Sequence, residues 1–153
     1  MKTLAVYKNI SLHDFLNKRN EIKSIDHLVP NKPGGASEIL LCLADVISSN
    51  GFAIGMEIQI DGLQRPKRIP LVVSRSNEVY IAKYSPHSSK MEQAIMVLED
   101  LVNEVKQDVG SKFNVYGLLI HNVNTSIHSR ISHLANSLDI ALVHKDDIDG
   151  LFN

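Results

Sequence analysis

The sequence predicts a single α/β domain built on a mixed β-sheet. Runs with an apolar period of two alternate along the chain with runs whose apolar residues recur every three or four positions. The strand-like runs arrive first as a close series of three and later as two separate, almost wholly apolar segments. A close series reads as an antiparallel meander, whereas apolar strands separated by helices read as parallel crossover strands. The length of 153 residues, with 44% hydrophobic and 22% charged side chains, is that of one globular domain. Such a chain buries about two-thirds of its unfolded surface, so it needs no disulfide or metal staple. Its single cysteine, Cys42, could form no disulfide within the chain. Disordered, collagenous and coiled-coil classes are excluded, and no run approaches the ~20 apolar residues of a membrane span. The N-terminal apolar run is too short for a secretory signal, so the expected location is the cytoplasm.

The first 35 residues read as an N-terminal extension. Residues 3–7 are strand-like, and Ser11 followed by Asp14 has the spacing of a helix start ahead of Phe15 and Leu16. Two prolines and two glycines within 26–35 then stop any regular element, which places the main domain at 36–153.

Residues 36–49 are apolar nearly all round and predict a buried helix, capped by Ser37 and stopped by Gly51. Residues 52–60 form the first strand of the meander, with Met56, Ile58 and Ile60 expected on one face and Glu57 and Gln59 on the other. A turn-rich basic stretch, 61–68, leads to strands at 69–74 and 78–84. Ser89 and Glu92 have capping-box spacing, and Met91, Ala94, Ile95, Leu98, Leu101, Val102 and Val105 then mark a long amphipathic helix ending at Gly110. Residues 115–120 and 140–143 are buried strands, joined by an amphipathic helix expected to start at Thr125, and 146–151 close the chain with a helical turn.

The net charge of −1 hides a gradient. Residues 1–35 carry six basic and three acidic side chains, 36–84 carry five and five, and 85–153 carry five and nine. A basic front and an acidic back can orient a molecule towards a polyanion while the total stays near zero.

From residue 36 the order is helix, three-stranded meander, helix, strand, helix, strand. This order resembles the core of the restriction-endonuclease-like, or PD-(D/E)xK, nuclease superfamily. The resemblance covers about residues 36–143 and includes a helix with an early Glu38, a third strand ending in Lys83 (YIAKY, 80–84) and a closing helix and strand (HLANSLDIALV, 133–143). It implies an α/β/α sandwich and phosphodiester chemistry. In that family an Asp on the second strand and an acid two residues before the Lys hold Mg²⁺, which activates water and stabilises the leaving oxygen. Here the acid position is Ile81, and the second strand, IPLVVS, has no acid.

Carry-over is thus limited to Glu38 and Lys83. Glu57 and Asp61 are the carboxylates that a relocated metal site would recruit, with Glu38, Glu57 and Lys83 as its catalytic set. Ordinary explanations compete: a solvated strand face for Glu57, the helix dipole for Glu38, and a lysine stem packed beneath an exposed ammonium for Lys83. Arg65, Lys67 and Arg68, held by Pro66, are the candidate phosphate contacts, set against a plain solvated turn. No tryptophan is available as a stacking platform.

Among seven histidines, His121 and His144 fall at the ends of the two late strands, the edge where open α/β sheets place ligands. His128 and His133, five apart, cannot chelate one metal from a single helix face. Cys42 reads as a packing thiol, and GxSxG, GxxxxGK and GxGxxG motifs are all missing.

The leading expectation is a catalytically degenerate nuclease-fold protein that binds DNA or a protein partner and takes no cofactor. One alternative is a divergent Mg²⁺-dependent nuclease with a relocated acidic site. The other is a homodimeric interaction module, joined by the sheet edge or the helix at 89–109, that ignores nucleic acid.

Overall fold

In the computed structural model of the chain, the described residues are 6–8, 10–18, 52–60 and 67–151. The expected helix at 36–49, with Glu38 and Cys42, lies outside them, as do Asp61 and Arg65. The elements are β1 (Val6–Lys8), α1 (Leu12–Lys18), β2 (Ala53–Ile60), β3 (Lys67–Arg75), β4 (Glu78–Ser85), α2 (Met91–Val109), β5 (Asn114–His121), α3 (Ser129–Ser137), β6 (Ile140–His144) and α4 (Ile148–Leu151).

The strands lie in one mixed sheet in sequence order, β1 to β6. Strands β2, β3 and β4 are an antiparallel meander, and β4, β5 and β6 run parallel to one another. The meander and the crossover strands stand where the sequence placed them. The three residues of β1 add a parallel edge beside β2, pairing Val6 with Ile54.

The N-terminal segment is more than the appendage expected. Leu12, Phe15 and Leu16 of α1 are buried in the main core, and the Gln59 N–H donates to the Ile10 carbonyl at 2.9 Å. Ser11 caps α1 as expected, its Oγ accepting from the Asp14 N–H at 3.1 Å.

Helices cover both faces of the sheet. On one face α1, α2 and α3 bury Ile58, Ile60, Ile69, Val72, Val79, Ile81, Val115 and Leu119. On the other, Ile148 of α4 packs in a second cluster with Ile54, Met56, Leu71, Val73, Leu118 and Ile120. The seven buried residues of α2 are the seven that the sequence periodicity marked. Each large apolar side chain buried there stabilises the fold by roughly 1.5–3 kcal/mol before ordering entropy is charged.

Several local details differ from the sequence reading. No side chain caps α2: a 3₁₀ turn, Ser88–Lys90, precedes it, and Glu92 instead reaches Arg130 of α3 at 3.0 Å. An ion pair across the helix interface has taken the carboxylate that a capping box would use. Helix α3 begins at Ser129, with the His128 imidazole accepting from the Arg130 N–H, so capping falls to His128 and not to Thr125. Strand β6 has only Ile140 buried, because it lies at the sheet edge.

The face assignment of β2 is corrected in a more consequential way. Met56 faces the α4 side together with Ile54, while Ile58 and Ile60 face the helix-rich side. Strict alternation would keep 54, 56, 58 and 60 together. Strand β3 flips at the same row: Leu71 and Val73 face α4, whereas Ile69 faces the helices. Between the flips stand Glu57, with φ at +50°, and Pro70, which has no N–H to give the ladder. The ladder pairs Met56 with Leu71 and Ile58 with Ile69 but leaves Glu57 and Pro70 unpaired. The same row ends the pairing of β3 with β4, whose last partners are Leu71 and Ala82.

Gly55 records the flip. A Cβ there would stand 2.7 Å from Ile58 Cγ1 and 3.1 Å from Phe15 Cδ2, although residues three apart face oppositely in a regular strand. Gly55→Ala is therefore expected to cost about 1–3 kcal/mol through overpacking. Urea denaturation should show a lower midpoint with an unchanged slope; an unchanged midpoint would mean that Ile58 and Phe15 give way freely.

Candidate functional site

Beyond Ala82, β4 is paired with β5 alone, and its last residues open onto a cavity of about 340 Å³. Lys83 shares the side of β4 that carries Val79 and Ile81, and so enters the cavity from the helix-rich face. Lys83, Ser85 and His87 from the end of β4, with Lys90 and Gln93 at the start of α2, supply its polar lining. Ala94 and Val97 supply an apolar wall. Ser85 is buried, and its hydroxyl donates to the His87 carbonyl at 3.4 Å, which ties the strand end to the turn before α2. Among the described residues, Lys83 and Lys90 have no ion-pair partner.

The acid position before that lysine is closed to chemistry. Ile81 is fully buried in the core, and β3 presents Leu71, Val72 and Val73, all buried. Glu57 is exposed on β2, two strands from Lys83, a spacing of roughly 10 Å between backbones. Among the described residues no ion pair joins Glu57 to Lys83. Glu38 and Asp61, the other members of the relocated acidic site, lie outside the described residues. Among the described residues no three His, Cys, Asp or Glu side chains form a group able to hold a metal ion.

The basic turn also resolves differently from the sequence reading. Lys67 and Arg68 belong to β3, paired with Ile60 and Gln59, and only Arg65 remains in the undescribed stretch. Lys67 is held by α2: its ammonium donates to Asp100 and, at 2.7 Å, to Glu104. Those two carboxylates raise its pKa above the ordinary lysine value, Asp100 contributing most. Lys67 therefore fastens the hairpin to α2, while Arg68 is exposed.

His121 and His144 are neighbours, as their strand positions suggested. They stand opposite each other in the β5–β6 register with ring centroids 5.5 Å apart and planes nearly perpendicular. Each accepts a backbone N–H at Nδ1, His121 from Val123 at 3.2 Å and His144 from Asp146 at 3.1 Å. His144 Nε2 lies 2.9 Å from Asn124 Oδ1, so with Nδ1 accepting it is the donor. The pair pins the loop after β5 and the turn after β6. Missed in the sequence were the cavity lining from Ser85 to Gln93, which carries no motif, and the ion pairs of Lys67.

No protein-family model matches the chain, and no curated protein is detectably similar to it. Its fold is similar to that of protein VC1899 from Vibrio cholerae, with a TM-score of 0.55 and 11% identity over 75% of this chain and 30% of that one. It is also similar to a protein of unknown function, AF1548, with a TM-score of 0.51 and 17% identity over 69% of this chain and 57% of that one. The chain thus spans under two-thirds of either neighbour, and at these identities the likeness is one of fold. Among the described residues no helix is long and apolar enough to cross a membrane.

The histidine pair gives a pH dependence with a definite sign. Burial lowers the His121 pKa below 6.5, the neighbouring His144 lowers it further, and Asp147 opposes both. The unfolded chain therefore binds this proton at higher pH than the native one does. Stability is complete above about pH 6.5, declines as the pH falls, and levels off once native His121 is protonated. His121→Asn keeps an acceptor for the Val123 N–H and removes the titration. Denaturant melts from about one unit above the ordinary histidine value to about 1.5 units below it should show a shallower decline for this variant; equal declines would assign the slope to another group.

Proposed function

We propose that the chain is a catalytically degenerate member of the restriction-endonuclease-like group that binds the phosphate backbone of nucleic acid without cutting it. The observation that carries this reading is the chemistry of the β4 end. Lys83 and Lys90 line one cavity with His87, while Ile81 fills the acid position with a buried aliphatic side chain. A cation without its carboxylate partners retains the part of such a site that attracts phosphate and lacks the part that holds the metal.

The strand order supports the same reading. A meander followed by two parallel strands in sequence order, with helices on both faces, agrees with the core whose element order the sequence resembles. Lys67 contributes little because Asp100 and Glu104 neutralise it, and Arg68, exposed on β3 between Lys67 and Ile69, alternates to the opposite face of the sheet. Glu99 and Asp100 lie further along α2 and Glu92, in its first turn, is paired with Arg130, so the attractive region is confined to Lys90 and the adjoining strand end.

A second reading, the homodimer, draws on Met96 and Val97, which are 50% and 41% exposed on α2. Sedimentation with and without DNA separates the two, since a dimer indifferent to DNA would favour the module.

Fluorescence anisotropy with a short duplex should show binding that weakens steeply with salt. Each phosphate contact adds about 0.9 to the slope of log K against log salt on B-DNA, so Lys83→Ala with Lys90→Ala should lower the slope by about 2. An unchanged slope would refute the cavity as the phosphate site. Incubation with Mg²⁺ or Mn²⁺ is expected to leave DNA and RNA intact; cleavage lost in Lys83→Ala would establish the divergent nuclease instead.

A further inference from the structure

On the opposite face of the sheet, and at the other end of its parallel strands, lies a second cavity of about 360 Å³. Its walls are Tyr80 of β4, Tyr116 and Leu118 of β5, and Leu151 of α4; Asn136 and Asp139, where α3 turns into β6, supply polar groups. This volume falls within the roughly 300–1,000 Å³ of small-molecule sites, and an apolar lining with few polar groups is their usual make-up.

Three features of the cavity are unexplained by the fold alone. First, Tyr116 is 42% exposed, although every later residue of β5 is buried. Its ring stacks on that of Tyr80 with centroids 5.1 Å apart and planes 25° from parallel. A third planar ring added to this stack would cover the exposed aromatic surface. Second, Asp139 holds φ at +60°, a conformation that glycine adopts freely and that, among other residues, asparagine and aspartate visit most readily. Its N–H donates to the Asn136 carbonyl at 3.2 Å, which explains the turn but not the choice of a carboxylate. Third, among the described residues the Asp139 carboxylate and the Asn136 amide have no side-chain hydrogen bond or ion pair. The Tyr80 hydroxyl is already committed, donating to Glu78 at 3.0 Å.

We propose that this cavity binds guanine, stacked on the tyrosine pair and held along its N1–H and N2–H edge by the Asp139 carboxylate. A carboxylate accepts but does not donate, so it matches a base that presents two adjacent N–H donors. Guanine is the one common base with that pattern. Adenine and cytosine place a ring-nitrogen acceptor beside the amino group, and uracil flanks its N–H with two carbonyls, so each would face the carboxylate with a lone pair. The Asn136 amide can donate to guanine O6. The base can come from a free nucleotide or from an unpaired position in a single strand. The inference does not rest on the phosphate cavity, which lies on the other face.

The test is NMR titration of the isotope-labelled chain, followed at the Gly117 and Leu118 amides, with GMP, AMP, CMP and UMP and with single strands containing or lacking guanine. GMP should shift these amides saturably, and AMP should bind at least tenfold more weakly. Asp139→Asn, which suits the left-handed turn and should fold normally, is expected to abolish the preference for GMP over AMP. Tyr116→Ala should weaken every nucleotide about tenfold or more, since stacking does not depend on base identity. Lys83→Ala should leave GMP binding unchanged, so the two sites can fail separately. Saturation by GMP assigns a free nucleotide, and saturation only by the guanine-containing strand assigns an unpaired base. No saturable shift with either, or equal binding of GMP and AMP, overturns the proposal.

Discussion

The row formed by Glu57 and Pro70 governs the shape of the whole sheet. Pro70 has no N–H, and Glu57 holds a left-handed φ, so the β2–β3 ladder skips that row and both strands exchange faces across it. With the faces exchanged, Ile58, Ile60 and Ile69 can all turn towards the helices. A hairpin that turns in this way cannot also follow β4, and the β3–β4 pairing stops at Leu71 and Ala82. The sheet consequently divides: the end of the hairpin goes to α2, and the end of β4 continues with β5.

The charges follow this division. Lys67, carried on the hairpin, meets Asp100 and Glu104 and cancels much of the acidic middle of α2. One oxygen of Glu104 is buried without a hydrogen bond, so the lysine is needed to make that carboxylate tolerable. Further along α2, His13 Nε2 lies 3.2 Å from Asp108 and helps hold α1 against the helix. With these cations committed elsewhere, positive charge at the β4 end rests on Lys83 and Lys90. A molecule with a formal charge of −1 can thus present a small cationic site, because several of its acids are placed against other cations, Lys67 and Arg130 among them.

Periodicity made the fold legible, since α2 and the five long strands are each specified by many apolar positions. The start of a helix depends on one or two side chains, and there the sequence misled. Glu92 has capping-box spacing but finds Arg130 across the helix interface, and Thr125 is passed over because the His128 imidazole already caps. The face exchange was equally hidden: FAIGMEIQI reads as plain alternation, and only the placement of Glu57 opposite a proline of another strand, a non-local fact, interrupts it. Lys83 was singled out correctly as a residue of the β4 end. Lys67 was read as one of three equivalent cations, although its partners lie 33 and 37 residues away and no local pattern could reveal them.

Three residues other than glycine hold positive φ among those described: Glu57, Ser76 and Asp139. Each costs on the order of 1 kcal/mol, which matters in a domain whose net stability is about 5–15 kcal/mol. Ser76 is accounted for by the two-residue turn between β3 and β4, closed by the Arg75–Glu78 pair and by the Ser74 hydroxyl bond to the Glu78 carbonyl at 2.8 Å. Glu57 is accounted for by the exchange of faces. Asp139 fits a helix-to-strand turn, where asparagine or glycine would hold the backbone with less strain. Of the three, Asp139 is the one whose backbone is explained while its side chain is not.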